Sequence, residues 1–152
     1  MNEIRIGAEI IGIERINRLV ADLQEIDQNK AIKAGLRKGA MVFIRLGRST
    51  LRSRNNKHTG NLMKSFRVRV KKRSLGSLAG FSMNYSRMAE EGYGSHSWLV
   101  DRGTVQRWTK KGQNRGIMPA SYFWTDTKEQ GGSEAIRAIE QGIHDAVIQM
   151  QK

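Results

Sequence analysis

The chain has 152 residues, of which 38% are hydrophobic and 27% charged, with one proline, no cysteine and a formal net charge of +13. This length and composition predict one folded domain over residues 1–152, and the lack of cysteine excludes disulfides and thiolate metal sites. No apolar run approaches the roughly 20 residues of a membrane-spanning helix, so we expect no membrane association and synthesis in a cytoplasm.

The positive charge is concentrated in the middle of the chain. No Asp or Glu lies between Asp27 and Glu90, whereas this interval holds 16 of the 27 Lys and Arg residues. Such a block creates a positive field that attracts phosphate groups or an acidic protein surface and repels other copies of itself. The sequence therefore predicts a negatively charged partner.

The N-terminal third combines a strand pattern with two helical patterns. Apolar residues alternate from Ile4 to Ile10 and recur at helical spacing from Ile13 to Leu23. Asp27 can cap the next helix, whose apolar stripe is Ile32, Leu36, Ala40, Phe43, Gly47 and Leu51. Because a glycine inside a helix costs about 0.5–1 kcal/mol, we expect Gly35, Gly39 and Gly47 to mark close packing against another element.

A turn and a hairpin follow this helix. Thr59 and Gly60 are expected to form a turn in which Thr59 caps a short helical segment from Leu62 to Ser65. Alternation from Phe66 to Val70 then predicts a strand with one core face and one basic face. The basic face, with the turn that extends it, is named the basic ladder and consists of Arg67, Arg69, Lys71, Lys72 and Arg73. A second alternating run, Ala79, Phe81, Met83 and Tyr85, completes an antiparallel hairpin.

The C-terminal half is predicted to contain a long loop and a helix. Residues 92–116 have little periodicity, which indicates a mobile loop around a short element from Trp98 to Gly103. Beyond Pro119, three aromatic residues at 122–124 are expected to anchor the last helix, with an interruption at Gly131-Gly132. Its stripe is Ile136, Ile139, Ile143, Val147 and Met150. The predicted fold class is α+β, with N-terminal helices and a C-terminal helix packed on a small, mainly antiparallel sheet.

No catalytic pattern stands out. The acid–base candidates are His58, His96, His144, Glu90, Glu91 and Asp101. They match neither a metal-binding spacing nor a nucleophile elbow, and the glycines form no phosphate-binding fingerprint. We therefore expect no enzyme activity, no cofactor and no metal site.

Three short motifs resemble one protein family. They are His58-Thr59-Gly60-Asn61-Leu62, Leu99-Val100-Asp101-Arg102-Gly103-Thr104, and Gly116-Ile117-Met118-Pro119-Ala120-Ser121-Tyr122-Phe123-Trp124. In this order, between a basic helix and an amphipathic helix, they resemble the tail-completion or head-tail joining (neck) proteins of long-tailed bacteriophages and prophages, such as the HK-type minor tail component. The structural motif residues that this resemblance assigns are Thr59, Gly60, Leu62, Asp101, Gly103, Thr104 and Pro119. A second acidic-x-Gly segment, Glu90-Glu91-Gly92-Tyr93, also fits, but Asp101-Arg102-Gly103-Thr104 keeps the threonine.

The resemblance implies a structural virion component that completes the tail or joins head and tail through subunit contacts. It implies a ring-forming oligomer in the virion, with a connector, tail terminator or tail tube as neighbours and non-specific contact with genomic DNA as an open question. The alternative function is a sequence-independent DNA-binding protein, because the basic ladder suits phosphate neutralisation. Trp98, Arg102 and Trp108 are candidate interface residues, since Trp and Arg dominate binding energy at protein interfaces.

Overall fold

The computed structural model describes residues 14, 16–54, 60–81 and 96–152. Residues 16–20 are helical, and the elements that follow are α1 (Glu25–Arg54), α2 (Asn61–Ser65), β1 (Phe66–Val70), β2 (Ser77–Phe81), α3 (Ser97–Arg102), β3 (Arg107–Trp108), β4 (Asn114–Gly116) and α4 (Phe123–Met150). Strands β1 and β2 form one antiparallel pair, and β3 and β4 form another. The fold class is α+β, as the sequence predicts.

The chain divides into two compact units. The first contains the described residues up to Val42, together with Val68–Leu78 and Gly132–Lys152, and the second contains the described parts of Phe43–Arg67 and Ala79–Gly131. Helices α1 and α4 and the β1–β2 hairpin each contribute residues to both units. The division into two units does not test whether residues 1–152 form one domain, so the single domain stays a prediction.

Small residues bring α1 and α4 close together in the first unit. A Cβ added at Gly35 would lie 2.5 Å from Cγ1 of Ile143, and one added at Gly142 would lie 2.8 Å from the Cα of Gly35. Ile143 is completely buried in a cluster with Val20, Ala31 and Ala146. The β1–β2 turn is held on α1 by two hydrogen bonds, from Lys33 Nζ to the Lys72 carbonyl and from Ser77 Oγ to the Leu36 carbonyl.

Aromatic side chains form the core of the second unit. Phe66 and Phe81 of the hairpin pack against Phe123 and Trp124 of α4, with centroid distances from 5.0 Å to 6.4 Å. A Cβ added at Gly47 would lie 2.8 Å from Phe66 Cε1 and from Trp124 Cζ3, so only glycine fits this position without rearrangement. The expected close packing at Gly35, Gly39 and Gly47 is therefore confirmed.

Several boundaries differ from the sequence predictions. Helix α1 begins at Glu25, so Asp27 lies inside its first turn and bonds Lys30 there instead of capping the helix. The N-cap position of α2 is Gly60, with φ of 77° and no capping side chain, and Thr59 lies outside the described residues. Helix α4 runs through Gly131-Gly132 without interruption. Gly131 packs against Phe43, which explains why a glycine is kept inside the helix.

The buried face of α4 also differs from the predicted stripe. Ile136 and Met150 are exposed, whereas Ala135, Gly142 and Ala146 are buried. The reason is the close helix approach in the first unit, which places the smallest side chains along the contact line and leaves larger ones beside it. Tyr122, expected to anchor the helix, is exposed, while Phe123 is completely buried.

Candidate functional site

Asp101 forms the N-terminal cap of α4 from a distance of more than 20 residues in sequence. Its Oδ1 accepts hydrogen bonds from the backbone N–H groups of Trp124 (2.8 Å) and Thr125 (3.1 Å), and its Oδ2 accepts one from Thr125 Oγ1 (2.7 Å). The first N–H groups of a helix have no partner within the helix, and a carboxylate there also interacts favourably with the helix dipole. Asp101 is buried, and both of its carboxylate oxygens accept hydrogen bonds at the start of α4.

The residues after Asp101 pack directly on the Met118-Pro119-Ala120 segment. The Thr104 N–H donates to the Met118 carbonyl, and the Met118 N–H donates to Thr104 Oγ1, both at 2.9 Å. Gly103 has φ of 75°, and a Cβ added there would lie 2.7 Å from both the Ala120 nitrogen and the Met118 oxygen. The positive φ and the close backbone approach both require glycine at position 103.

Two further contacts fix the start of α4. The Tyr122 N–H donates to the Asp101 carbonyl (2.8 Å), and Tyr122 is held at φ of 51°, which is uncommon for a residue with a side chain. Arg54, at the end of α1, forms a salt bridge with Asp126 and donates to the Ser121 carbonyl (2.7 Å). These contacts, with those of Asp101, Gly103 and Thr104, form what we call the motif junction.

The second and third sequence motifs contact each other in the motif junction and form one structural unit. Asp101, Gly103 and Thr104 hold residues 118–125 in place, and the exposed Pro119 lies between the two residues whose backbone faces Gly103. In the first motif, Leu62 is buried, and Gly60 has the positive φ of a turn. These roles are architectural and supply no reacting group.

A solvent-exposed hairpin extends between the two halves of the motif junction. Residues 105–117, which we call the hairpin arm, contain β3, β4 and a turn in which the Gly112 N–H donates to the Thr109 carbonyl. Within the predicted loop at 92–116, the structure thus contains α3 and a hairpin, while residues 92–95 lie outside the described part. Mobility of this segment stays a prediction.

The hairpin arm exposes apolar and basic side chains together. Val105 is 85% exposed, and Trp108 and Ile117 are each 62% exposed. The charged residues of the arm are all basic and exposed: Arg107, Lys110, Lys111 and Arg115. Trp98, on neighbouring α3, is 59% exposed, and Arg102 is exposed as well. This mixture is typical of an interaction surface.

The basic ladder is exposed along its full length. Phe66 is buried and Val68 and Val70 are partly buried, whereas Arg67 and Arg69 face solvent, which is the alternation that the sequence predicts. Arg67 donates to the carbonyls of Lys64 and Phe66, so part of its donor capacity is used locally. Arg69, Lys71, Lys72 and Arg73 are exposed and contact no carboxylate among the described residues.

In the part of the chain that the structure describes, the remaining titratable groups form no cluster of three metal-binding side chains. Among the described residues, no group of three or more His, Cys, Asp or Glu side chains can hold a metal ion. An open groove of about 560 Å³ in the first unit is lined by Arg18, Leu19, Arg137, Glu140, Gln141 and His144. Its two side chains of metal-ligand type, Glu140 and His144, belong to no described group of three that can hold a metal ion. Of the other catalytic candidates, His96 precedes α3, and His58, Glu90 and Glu91 lie outside the described residues.

One carboxylate has a shifted pKa for a structural reason. Hydrogen bonds to Asp145 from Lys38 Nζ (2.6 Å) and Gln141 Nε2 (2.7 Å) hold its pKa below the ordinary value of 3.8, with Lys38 as the larger cause. Lys38 lies on α1 and Asp145 on α4, so this pair links the two helices of the first unit.

Comparison of the chain with protein-family models, with curated proteins and with solved structures gave no match. Of the helices in the described ranges, none combines the length and apolar character that crossing a membrane requires. The motif junction, the hairpin arm and the basic ladder are therefore the features from which function can be argued.

Sequence reasoning missed most of the hairpin arm. The sequence identifies Trp108 as an interface candidate, but its pattern places Val105 and Lys110 in an irregular loop and Ile117 in the third motif. The signal was present as Thr109-Lys110-Lys111-Gly112, a glycine-containing turn between two short extended segments. The capping role of Asp101 has no comparable local signal, because its partners lie 23 and 24 residues away.

Proposed function

We propose that the protein is a structural virion component of a tailed bacteriophage or prophage, which completes the tail or joins head and tail through subunit contacts. It acts in the virion, after synthesis in the bacterial host cytoplasm, as part of a ring. Its neighbours are a connector, a tail terminator or the tail tube. It performs no enzymatic turnover.

One observation carries this proposal: the second and third of the motifs that resemble the family meet in the motif junction, and the chain between them is an exposed hairpin. Asp101 and Thr104 join the segments on either side of the arm through side-chain and backbone bonds. Such bonds support an architectural role for the motifs, since they use the groups that catalysis would need. An exposed arm with Trp and Arg side chains suits contact with another protein.

The experiment is deletion of the gene in the phage or prophage, with complementation from a plasmid. We expect the deletion to give filled heads and separate or incomplete tails by electron microscopy, and the wild-type gene to restore complete particles. Asp101→Ala should complement poorly because it weakens the motif junction, whereas Glu129→Gln, at an exposed position of α4, should complement fully. Complete infectious particles from the deletion strain would contradict the proposal.

A second candidate function, sequence-independent DNA binding, is favoured by the exposed basic ladder. None of its five cations contacts a carboxylate among the described residues, and such cations release counterions when they neutralise phosphates. Binding of random duplex DNA should be measured from 50 to 400 mM salt. Tight binding that weakens steeply with salt, and is lost when the ladder residues are replaced by Gln, would favour this function over the structural one.

A further inference from the structure

The hairpin arm is an exposed element without a core of its own. Two-stranded hairpins are marginally stable in water, and four of the five residues of strands β3 and β4 are exposed, with only Gly116 partly buried. Three large apolar side chains, Val105, Trp108 and Ile117, nevertheless extend from this arm. Burial of such side chains against a partner would release water from apolar surface and stabilise both the arm and the complex.

Charge restricts what can cover the arm. Its four Lys and Arg residues have no Asp or Glu beside them within residues 105–117. Two arms placed against each other would therefore repel, and so would an arm placed against the basic ladder. The occupant must combine negative charge with an exposed apolar side chain.

The chain carries a surface of this kind at the start of α1. Residues 20–29, which we call the acidic segment, contain Asp22, Glu25 and Asp27 and no Lys or Arg. Ile26 lies among these carboxylates in the first turn of α1 and is 69% exposed. Asp27 bonds Lys30, while Asp22 and Glu25 are exposed and have no cation partner among the described residues.

We infer that the hairpin arm of one copy binds the acidic segment of the next copy. Lys110 and Lys111 at the turn face the carboxylates of Asp22 and Glu25, and the apolar side chains of the arm cover Ile26. This contact joins two different surfaces, so it repeats head to tail and closes into a ring when the rotation allows. The inference rests on the proposed function for the expectation that copies assemble in a ring.

The net charge of +13 gives the association a defined salt dependence. The repulsion between the net positive charges of two copies acts over long distances. Salt at 0.15 M largely screens it, since the Debye length is then about 8 Å. Oppositely charged groups in direct contact are screened less. Association should therefore be strongest at intermediate salt and weaker at both extremes.

The test is charge reversal on each surface of the purified full chain, followed by sedimentation velocity at 50, 150 and 500 mM salt. The arm variant is Lys110→Glu with Lys111→Glu, and the segment variant is Asp22→Lys with Glu25→Lys. Each should associate at least tenfold more weakly than the wild type. A mixture of the two should associate again, because the reversed arm of one then meets the reversed segment of the other.

The matched control for the arm variant is Lys128→Glu with Arg137→Glu, which makes the same charge change at exposed positions of α4. It should associate like the wild type. Circular dichroism establishes that all variants are folded. A wild type that stays monomeric at all three salt concentrations, a variant that associates normally, or a mixture that does not regain association would each overturn the inference.

Two further results separate this inference from the proposed function. If the copies do not associate but particles still require the gene, the head-to-tail contact is wrong and the virion role stands. If the copies associate as described but complete particles form without the gene, the contact stands and the virion role is wrong. Loss of duplex DNA binding by the arm variant with unchanged self-association would assign the arm to nucleic acid and overturn the inference.

Discussion

Asp101 organises the second unit because one carboxylate satisfies three donors at the start of α4. Two of them are backbone N–H groups that the helix cannot satisfy itself, and the third is the Thr125 hydroxyl. The side chain is buried, so water cannot easily replace it when it is removed. The same residue thus fixes the helix start and one end of the segment that leads to the hairpin arm.

We predict that Asp101→Ala lowers the free energy of unfolding by about 1–3 kcal/mol, because it leaves two backbone donors unsatisfied in a buried position. Urea denaturation followed by circular dichroism measures this change. Glu129→Gln is the control and should remain within about 0.5 kcal/mol of the wild type. If Asp101→Ala lowers the free energy of unfolding by less than about 0.5 kcal/mol, water replaces the missing carboxylate at the start of α4.

Asp145 supplies a pH-dependent contact between α1 and α4. Its pKa is lowered in the folded protein, so its contribution to stability is present above pH 3.8 and is lost as the pH falls through the lower folded value. We predict that Lys38→Met raises the Asp145 pKa towards 3.8 in an NMR titration of the carboxyl carbon. Gln141→Ala should raise it less, since Lys38 is the larger cause. Equal shifts in the two variants would contradict this order.

At the scale of elements, the contact between α1 and α4 depends on the absence of side chains. Gly35 and Gly142 face each other so closely that a Cβ on either would meet backbone atoms at 2.6–2.8 Å. Backbone atoms cannot move aside as a flexible side chain can. The helix-propensity cost of these glycines is therefore offset by dispersion contacts along the helix interface.

We predict opposite effects of alanine at two glycines of this helix pair. Gly35→Ala should destabilise the protein by about 1–3 kcal/mol through overpacking. Gly132→Ala should stabilise it by about 0.5–1 kcal/mol, because a Cβ there meets no atom within 4 Å and the helix gains propensity. Differential scanning calorimetry of both variants checks the signs. Stabilisation by Gly35→Ala would mean that the helices separate without cost.

At the scale of the whole molecule, charge is separated along the chain. The basic ladder belongs to the acid-free interval between Asp27 and Glu90, and the acidic segment lies just before that interval. This separation is compatible with head-to-tail contacts and opposes contacts between like surfaces. It also makes any assembly sensitive to ionic strength.

We predict that replacing Arg67, Arg69 and Lys71 by Gln leaves the thermal midpoint within a few degrees of the wild type, since exposed charges contribute little to stability. Complementation by this variant should yield incomplete or unjoined tails, with a milder defect at low ionic strength, where the remaining positive field is less screened. The control replaces the exposed Lys128, Arg137 and Lys152 by Gln. Normal particle yield from the ladder variant would show that this face is only a solvated surface.

Local sequence patterns predict several of the elements that the structure contains. Alternation placed β1 at Phe66–Val70, apolar spacing placed the helices, and internal glycines indicated close packing before any partner was known. These features follow from the periods of strand and helix and from the properties of single residues. The family resemblance, and not periodicity, marked Asp101, Gly103 and Thr104 as a motif, and it did not assign their partners.

Contacts between residues that are distant in sequence follow from tertiary packing and not from local patterns. The cap from Asp101 to Trp124, the fit of Gly103 against Ala120 and the small-residue line between α1 and α4 all join segments separated by many residues. Such contacts depend on how the elements pack, and no short sequence window records that. The exposure of Val105 and Ile117 also follows from packing, because a single apolar residue looks alike in sequence whether the fold buries it or leaves it in solvent.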